Sequence, residues 1–488
     1  MHMVSRIAKN TLILLIGEIG GKLLTLLFVI YTARYLHAEG YGILSFGLAF
    51  TGMFGIIAEI GFYDLIVREV SRNKQLASKY IGNVIILKTI LIGVMLGLLY
   101  ATVNIIGYPD QTIEVVYVLA ISLVLDAYSV IFSATFQAYE RMEYLSIGKI
   151  LKTSFLLVGS LFIVYNGYGL LSFAYLYLVV SFCMILYNFT IAIKKFAKPK
   201  LKFDKNFCKW LLKEGFPIWV SGLFIVIMPQ SDLVILSFLA DDKAVGLYSA
   251  AYKIVFTLNF IPVIFISAIF PITSRLSISS KDALREVISR SFKYLLLAGL
   301  LLVVFLTLFG DIIITRIFGN EFLPSVLSLK ILVWAELFAF LNMVYVNLLM
   351  STNRQVLNTY RTILAALLNI SLDIILIPHM GFIGTSYAAF AGRFFSFILL
   401  SSIVMKSEYR LPNKLIMDCF KIVVLTGVIW VFSYISGIGI YSFIIYISVF
   451  PVILLYLNVF DDLDRKIATD IYSSIKLKLH NIKIKNQG

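Results

Sequence analysis

Charge is scarce in this chain, and so are the residue types on which soluble enzymes build their sites. Only 14% of the 488 residues are Asp, Glu, Lys or Arg and 60% are hydrophobic, where soluble domains carry about 25% and about 45–50%. That composition excludes a water-soluble globule. The three cysteines, Cys183, Cys208 and Cys419, are far apart and form no CxxC pair or other metal-type spacing, which argues against a disulfide framework. The four histidines, His2, His37, His379 and His480, stand at termini or loop edges, leaving a zinc site or a histidine general base without a visible partner. Long polar loops are missing too. The longest loop expected on the outer face, Gly310 to Pro324, offers Asp311, Arg316 and Glu321 but no nucleophile and base pair, so a membrane-bound polymerase or ligase is disfavoured. No small-residue cleavage site follows Met1 to Asn10, and that stretch reads as a first cytoplasmic flank.

What the chain has in abundance is apolar runs of membrane-crossing length, roughly fourteen of them. The approximate spans are Thr11 to Tyr35, Tyr41 to Val67, Ile81 to Val103, Thr112 to Ala138, Ser146 to Tyr165 and Leu170 to Ile193, which make a first lobe over residues 1–193. A lysine-dense segment, 194–215, reads as a solvated cytoplasmic linker. A second lobe over 216–405 would hold Phe216 to Leu239, Gly246 to Pro271, Tyr294 to Ile314, Ser325 to Met350, Leu357 to Ile377 and Gly381 to Met405. Two further spans lie in 406–460, and the tail 461–488 alternates Ile/Leu with Lys like an amphipathic surface helix. Of the 42 basic residues, roughly 33 fall in alternate loops and flanks, 3 in the others (Arg34, Lys243, Arg316) and 6 inside spans. This asymmetry orients both termini to the cytoplasm. It also assigns the net charge of +15 to one membrane side, facing anionic lipid and not nucleic acid.

The two lobes resemble each other. Gly42-Ile-Leu-Ser45 enters the second span as Gly246-Leu-Tyr-Ser249 enters the eighth, and Gly167-Tyr-Gly-Leu170 precedes the sixth as Gly381-Phe-Ile-Gly384 begins the twelfth. The offsets, roughly 204 and 215 residues, recur in the same order, as in an internal duplication. Six spans per copy is an even number, so the copies share orientation and predict a pseudo-two-fold axis along the membrane normal. The expected fold is therefore all-α and polytopic, with two six-helix lobes around a central cavity plus two C-terminal helices.

A charge at the centre of a lone helix costs about 2.5–3.5 kcal/mol, so intramembrane ions are where function is sought. Glu18 and Lys22 sit four apart on the first span beside Gly17, Gly20 and Gly21, either neutralising each other or leaving Lys22 to meet a phosphate. Glu59 and Asp64 mark the end of the second span as candidate acidic or coupling groups; Lys253 and Arg393 add cations from the second lobe. Lys88 is deep, while Lys330 and Lys421 lie close to span ends, where snorkelling accounts for them. Asp232 follows Pro229, whose ring frees the carbonyl of Ile225, and Asn369 and Asp373 share one helical face. These three make a candidate cation or proton site, against the plainer reading of interhelical hydrogen bonding.

Three segments carry a family resemblance: GKLLTLLFVIYTARYLHAEGYGILSF from Gly21 to Phe46, SDLVILSFLADDKAVGLYSAAYKI from Ser231 to Ile254, and LMSTNRQVLNTYRTILAALLNISLDIILIPHMGFIGTSYAA from Leu349 to Ala389. They resemble lipid-linked oligosaccharide flippases, the Wzx-type polysaccharide transporters of the multidrug/oligosaccharidyl-lipid/polysaccharide exporter superfamily. The resemblance implies alternating access in a cell-membrane transporter, not an enzyme. Its cargo would be a polyprenyl-(di)phosphate-linked glycan, moved from the cytoplasmic to the outer leaflet. It further implies Lys22 and Lys253 as phosphate-binding positions, to which Arg393 is added as a third cation of the second lobe, and Asp232, Asn369 and Asp373 as positions where some relatives bind a monovalent cation. No other cofactor is implied beyond Na+ or H+ coupling. A monomer is expected, with membrane lipids, a polysaccharide polymerase and glycosyltransferases as functional neighbours. Phe28 departs from the peptidoglycan-precursor branch, which often carries an arginine thereabouts. Multidrug exporters of the same superfamily and a lipid II-type flippase are the alternatives, the former disfavoured by basic cavity residues.

Overall fold

The computed structural model describes residues 2–436, 440–462, 464 and 466. Among them the chain is helical, with no strand. The helices are α1 (His2–Gly55), α2 (Phe62–Arg72), α3 (Ala77–Ile106), α4 (Asp110–Ala138), α5 (Met142–Tyr165), α6 (Leu170–Lys195), α7 (Lys205–Leu239) and α8 (Asp242–Thr257). They continue as α9 (Phe260–Ser279), α10 (Lys281–Ile317), α11 (Ser325–Ser351), α12 (Gln355–Met380), α13 (Phe382–Met405), α14 (Asn413–Ser436) and α15 (Ile440–Tyr456). Eleven segments are long and apolar enough to cross a membrane by themselves. α1 folds back on itself, and α7 and α15 hold shorter apolar stretches, which brings the crossings to roughly fourteen. The chain is a multi-pass membrane protein. The expected amphipathic tail lies almost wholly outside the described residues.

Several spans differ from their sequence boundaries, α7 among them, which begins at Lys205 inside the expected linker; three of the differences have a local reason. The second span is broken after Gly55 by a single 3-10 turn, Ile56–Ala58, and resumes as α2 from Gly61, whose φ of 62° suits glycine. The Trp219 indole of α7 donates to the freed Ile56 carbonyl at 2.9 Å, and the Glu59 carboxylate accepts from the Tyr63 amide at 3.0 Å. The eighth span is two helices, α8 and α9, separated at Leu258–Asn259. The ninth begins at Lys281, a dozen residues earlier than its apolar core requires, because Ser280 caps it by accepting from the Ala283 amide at 3.3 Å.

Reciprocal glycines hold the lobes together. A Cβ on Gly42 would lie 1.7 Å from the Asp242 carbonyl oxygen, and a Cβ on Gly246 would lie 1.8 Å from that of Ala38. Each glycine therefore receives the carbonyl four residues before the other, as a two-fold contact requires. The repeated motif is thus an interface with itself. At the same end of the molecule the chain reverses at His37, which adopts a φ of 58°. Glu321 fastens this turn, accepting from the Ala38 amide at 3.0 Å and meeting His37 Nδ1 at 2.8 Å.

At the opposite, basic end, the linker is not a loose tether. Lys200 donates from its amide to the Ser78 carbonyl at 3.0 Å, the Asp204 amide reaches Asn83 Oδ1 at 3.0 Å, and Lys79 pairs with Asp204 at 2.8 Å. Gly82 allows this approach, since a Cβ there would sit 1.9 Å from the Lys200 carbonyl. The first turns of α7 then pack into the first lobe's own core, with Cys208 and Leu211 buried beside Phe62, Tyr80 and Phe136. The last two helices are fastened to α10 by a charged clasp: Asp464 takes Arg290 at 2.6 Å, Tyr294 Oη at 2.5 Å and Lys293.

Candidate functional site

Lys22 lies on the face of α1 that meets the second lobe, with its Nζ 5.8 Å from the centroid of the Phe256 ring on α8. Lys253 sits three residues before Phe256, hence on the same face of α8, and is half-buried like Lys22. Neither ammonium has a carboxylate within ion-pair distance among the described residues. In a membrane such a charge ordinarily pairs or faces a wet cavity. The two lysines therefore bring unanswered positive charge from both lobes to one seam.

The neighbouring acids are committed elsewhere. Glu18 does not neutralise Lys22; it pairs with Lys149 of α5, whose stem crosses over Gly21, where a Cβ would come within 3.2 Å of it. Arg393 is engaged by an acid of its own lobe. Its Nη1 meets Glu336 Oε2 of α11 at 2.5 Å, and Glu336 is only 2% exposed. Glu59 is paired with Lys88, itself 1% exposed, and Asp64 stands exposed in the first turn of α2. Glu59 is thus answered within the first lobe, while Asp64 keeps an exposed carboxylate. Asp126 pairs with Lys152 at 2.7 Å and Lys330 with Asp311 at 3.2 Å, while Lys421 donates to the Leu457 carbonyl at 3.1 Å.

Asp232, Asn369 and Asp373 come together, fully buried between α7 and α12. Asp232 Oδ2 accepts from Tyr248 Oη at 2.9 Å, and the Asn369 amide nitrogen donates to Asp232 Oδ1 at 2.9 Å while its oxygen accepts from the Ala389 amide at 3.3 Å. Asp373 lies within hydrogen-bonding reach of Asp232, yet both of its oxygens lack a donor. Two carboxyl groups in one dry site demand either a shared proton or a cation. The oxygen-only donor set suits a hard monovalent ion.

Four charges of this region escape the sequence reading. Lys149 and Lys152 stand early in the span from Ser146 and Arg361 early in the span from Leu357, where they read as basic flanks; Arg361, six residues into α12, stands about 9 Å along it. Glu336 was the more legible omission, a lone acid in the middle of an apolar run.

The polysaccharide biosynthesis protein family model matches residues 7–277, more than half of the chain, and the MatE model matches residues 217–375. The chain is 24% identical over 387 residues to a probable low-salt glycan biosynthesis flippase, Agl15, of Haloferax volcanii, covering 78% of this chain and 80% of that protein. It is 25% identical over 320 residues to an uncharacterized membrane protein of Methanocaldococcus jannaschii, and the match spans 63% of each. Among solved structures, the lipid II flippase MurJ in an inward closed conformation superposes with a TM-score of 0.71 at 16% identity, covering 91% of this chain and 100% of that one. An inward-facing multidrug resistance MATE transporter gives 0.65 at 16% identity over 79% and 96%. The likeness to both is one of fold. The chain belongs to the polysaccharide biosynthesis protein family and has the fold of the multidrug/oligosaccharidyl-lipid/polysaccharide exporter superfamily.

Proposed function

We propose that this protein is a flippase for a polyprenyl-(di)phosphate-linked oligosaccharide, moving its headgroup from the basic face of the membrane to the opposite leaflet by alternating access. The basic face is then cytoplasmic, with both termini on that side, and the protein sits in the cell membrane. The observation that carries the reading is the pair Lys22 and Lys253, one cation from each lobe, neither held by a carboxylate among the described residues. An ammonium is a strongly hydrated point charge with three rotatable donors, suited to handing over a phosphate without a fixed geometry. Arg393 is the secondary cation in this reading, since Glu336 already stands beside it. With the interior negative, each net negative charge moved outward gains about 2.3 kcal/mol per 100 mV.

The test is flux of a labelled lipid-linked sugar in liposomes. A hydrogen bond to a charged group contributes about 1.5–3 kcal/mol, so the Lys22→Ala/Lys253→Ala double variant is expected to lose transport at least roughly tenfold; undiminished flux removes the phosphate clamp. Coupling belongs to the buried carboxyl pair. Flux driven by an imposed Na+ or proton gradient is expected to lose its gradient dependence in Asp373→Asn, and a variant that still answers the gradient places coupling elsewhere.

The MatE match over the second lobe favours one other reading, a multidrug exporter. Efflux of cationic drugs from a sensitised host, with no movement of lipid-linked sugar, would replace the flippase with it.

A further inference from the structure

Within the second lobe, between α7, α9, α11, α12 and α13, lies a cavity of about 470 Å³ lined by Asn342, Asn347, Asn358 and Arg361, whose polar groups are only partly satisfied by the protein. Four of its lining residues end in a buried, unpartnered atom: Asn342 Oδ1, Asn347 Nδ2, Asn358 Oδ1 and Arg361 Nε. Asn342 and Asn347 are more than nine-tenths buried. Three amides and a guanidinium with spare hydrogen-bonding capacity thus line one cavity.

The remaining contacts aim rather than satisfy these groups. Asn342 is oriented by donating to the Arg393 carbonyl at 3.2 Å, and Asn347 by accepting from Thr273 Oγ1 at 3.3 Å. Arg361 gives one Nη1 proton to Ser396 and one Nη2 proton to Thr362 Oγ1 at 2.8 Å. It has no carboxylate partner among the described residues. Of its five N–H donors, three stay unused, including Nε, so the guanidinium keeps the fork that grips two oxygens of one anion. Amide oxygens and nitrogens beside it match hydroxyl groups, which both donate and accept.

We propose that this cavity is a headgroup subsite for an oxyanion bonded to, or borne by, a polyhydroxylated ring: Arg361 takes the anion, and Asn342, Asn347 and Asn358 take the ring hydroxyls. The inference rests on the flippase reading and adds to it the chemistry of the recognised group. The oxyanion is either the carrier's phosphate next to its first sugar or the carboxylate of an acidic sugar. Arg361 lies nearer the basic face than the central cations do, so the headgroup meets it on entry.

Soluble headgroup fragments test this without transport. Binding of hexose 1-phosphate, hexuronate, free hexose and inorganic phosphate to the purified full-length protein would be measured by titration. In parallel, protection of a Met350→Cys variant from maleimide would report occupancy of the cavity with Arg361 intact. One of the two anionic sugars is expected to bind at least about tenfold tighter than hexose or inorganic phosphate. Preference for hexose 1-phosphate assigns the anion to the carrier, and preference for hexuronate assigns it to the glycan. Arg361→Gln is expected to abolish that advantage and Arg361→Lys to restore it only in part, while Asn342→Leu/Asn347→Leu keeps inorganic phosphate binding and loses the discrimination for sugar. Equal affinities for all four probes, or no protection of the cysteine, overturn the proposal. Absent flux of lipid-linked sugar with fragment binding intact would instead count against the flippase reading alone.

Discussion

A buried ion pair is a poor source of net stability but a severe loss when halved, because the surviving charge is stranded. Glu336 and Arg393 test this within the span. Glu336→Gln is expected to destabilise the protein by about 3–5 kcal/mol, and Glu336→Gln/Arg393→Gln to recover much of it, both read from unfolding in detergent. A double variant as unstable as the single one would mean that the pair is not the unit. The contrast with Lys22 and Lys253 separates two kinds of intramembrane charge: those answered by the protein itself, and those left for something that arrives. Sequence could list the charges but not sort them. Glu18 and Lys22 lie four apart on one helix, the spacing of a local pair, yet Glu18 is taken by Lys149 from another helix. Such a choice depends on which neighbour leans across Gly21, a packing fact with no local sequence signal.

Helices themselves were far more legible than their partnerships. Hydrophobic runs bounded by loops of alternating charge locate the crossings because the bilayer demands that length and that asymmetry. Breaks inside crossings were not readable. The interruption at Ile56–Ala58 is sustained by Trp219 from a helix more than 160 residues away, and nothing in the run from Tyr41 onward announces it. The repeated glycine motif was visible as a repeat, while its meaning as a mutual contact required the fold. Gly42→Ala would place a methyl inside the Asp242 carbonyl, so α1 and α8 must part at the end opposite the basic face. A cysteine introduced at the buried Ser45 is then expected to react faster with an impermeant maleimide, and Gly246→Ala is expected to act alike. Unchanged labelling in both would show that the helices yield elsewhere.

Across the whole molecule, the two ends are closed by different means. At the end opposite the basic face, glycine packing is supplemented by Glu321, which burial opposes but which the Ala38 amide and His37 hold below the usual carboxylate range. A carboxylate with a depressed folded-state pKa contributes fully above its ordinary value of about 4.3 and is lost as pH falls through the lowered one. Labelling at the same introduced cysteine, divided at each pH by the rate of a free thiol so that the falling thiolate fraction cancels, is therefore expected to be flat from pH 8 to about pH 5 and to rise below about pH 4; Glu321→Gln should show the raised ratio at every pH. The basic end is closed by straps: the linker bound along α3, and the clasp from α10 to Asp464.

That strap has a mechanical consequence. Because residues 200–211 are tied into the first lobe, the chain has no slack at the point where sequence composition would put a hinge. α7 starts in one rigid body and ends in the other, where Asp232 meets Tyr248 and Asn369. Rocking of the halves must then be absorbed as flexure of this single rod, and its two prolines, Pro217 and Pro229, bracket the stretch lying between the anchors. The flexing stretch thus ends three residues before Asp232, so bending the rod would carry the buried carboxyl pair with it, as a lever carries its load.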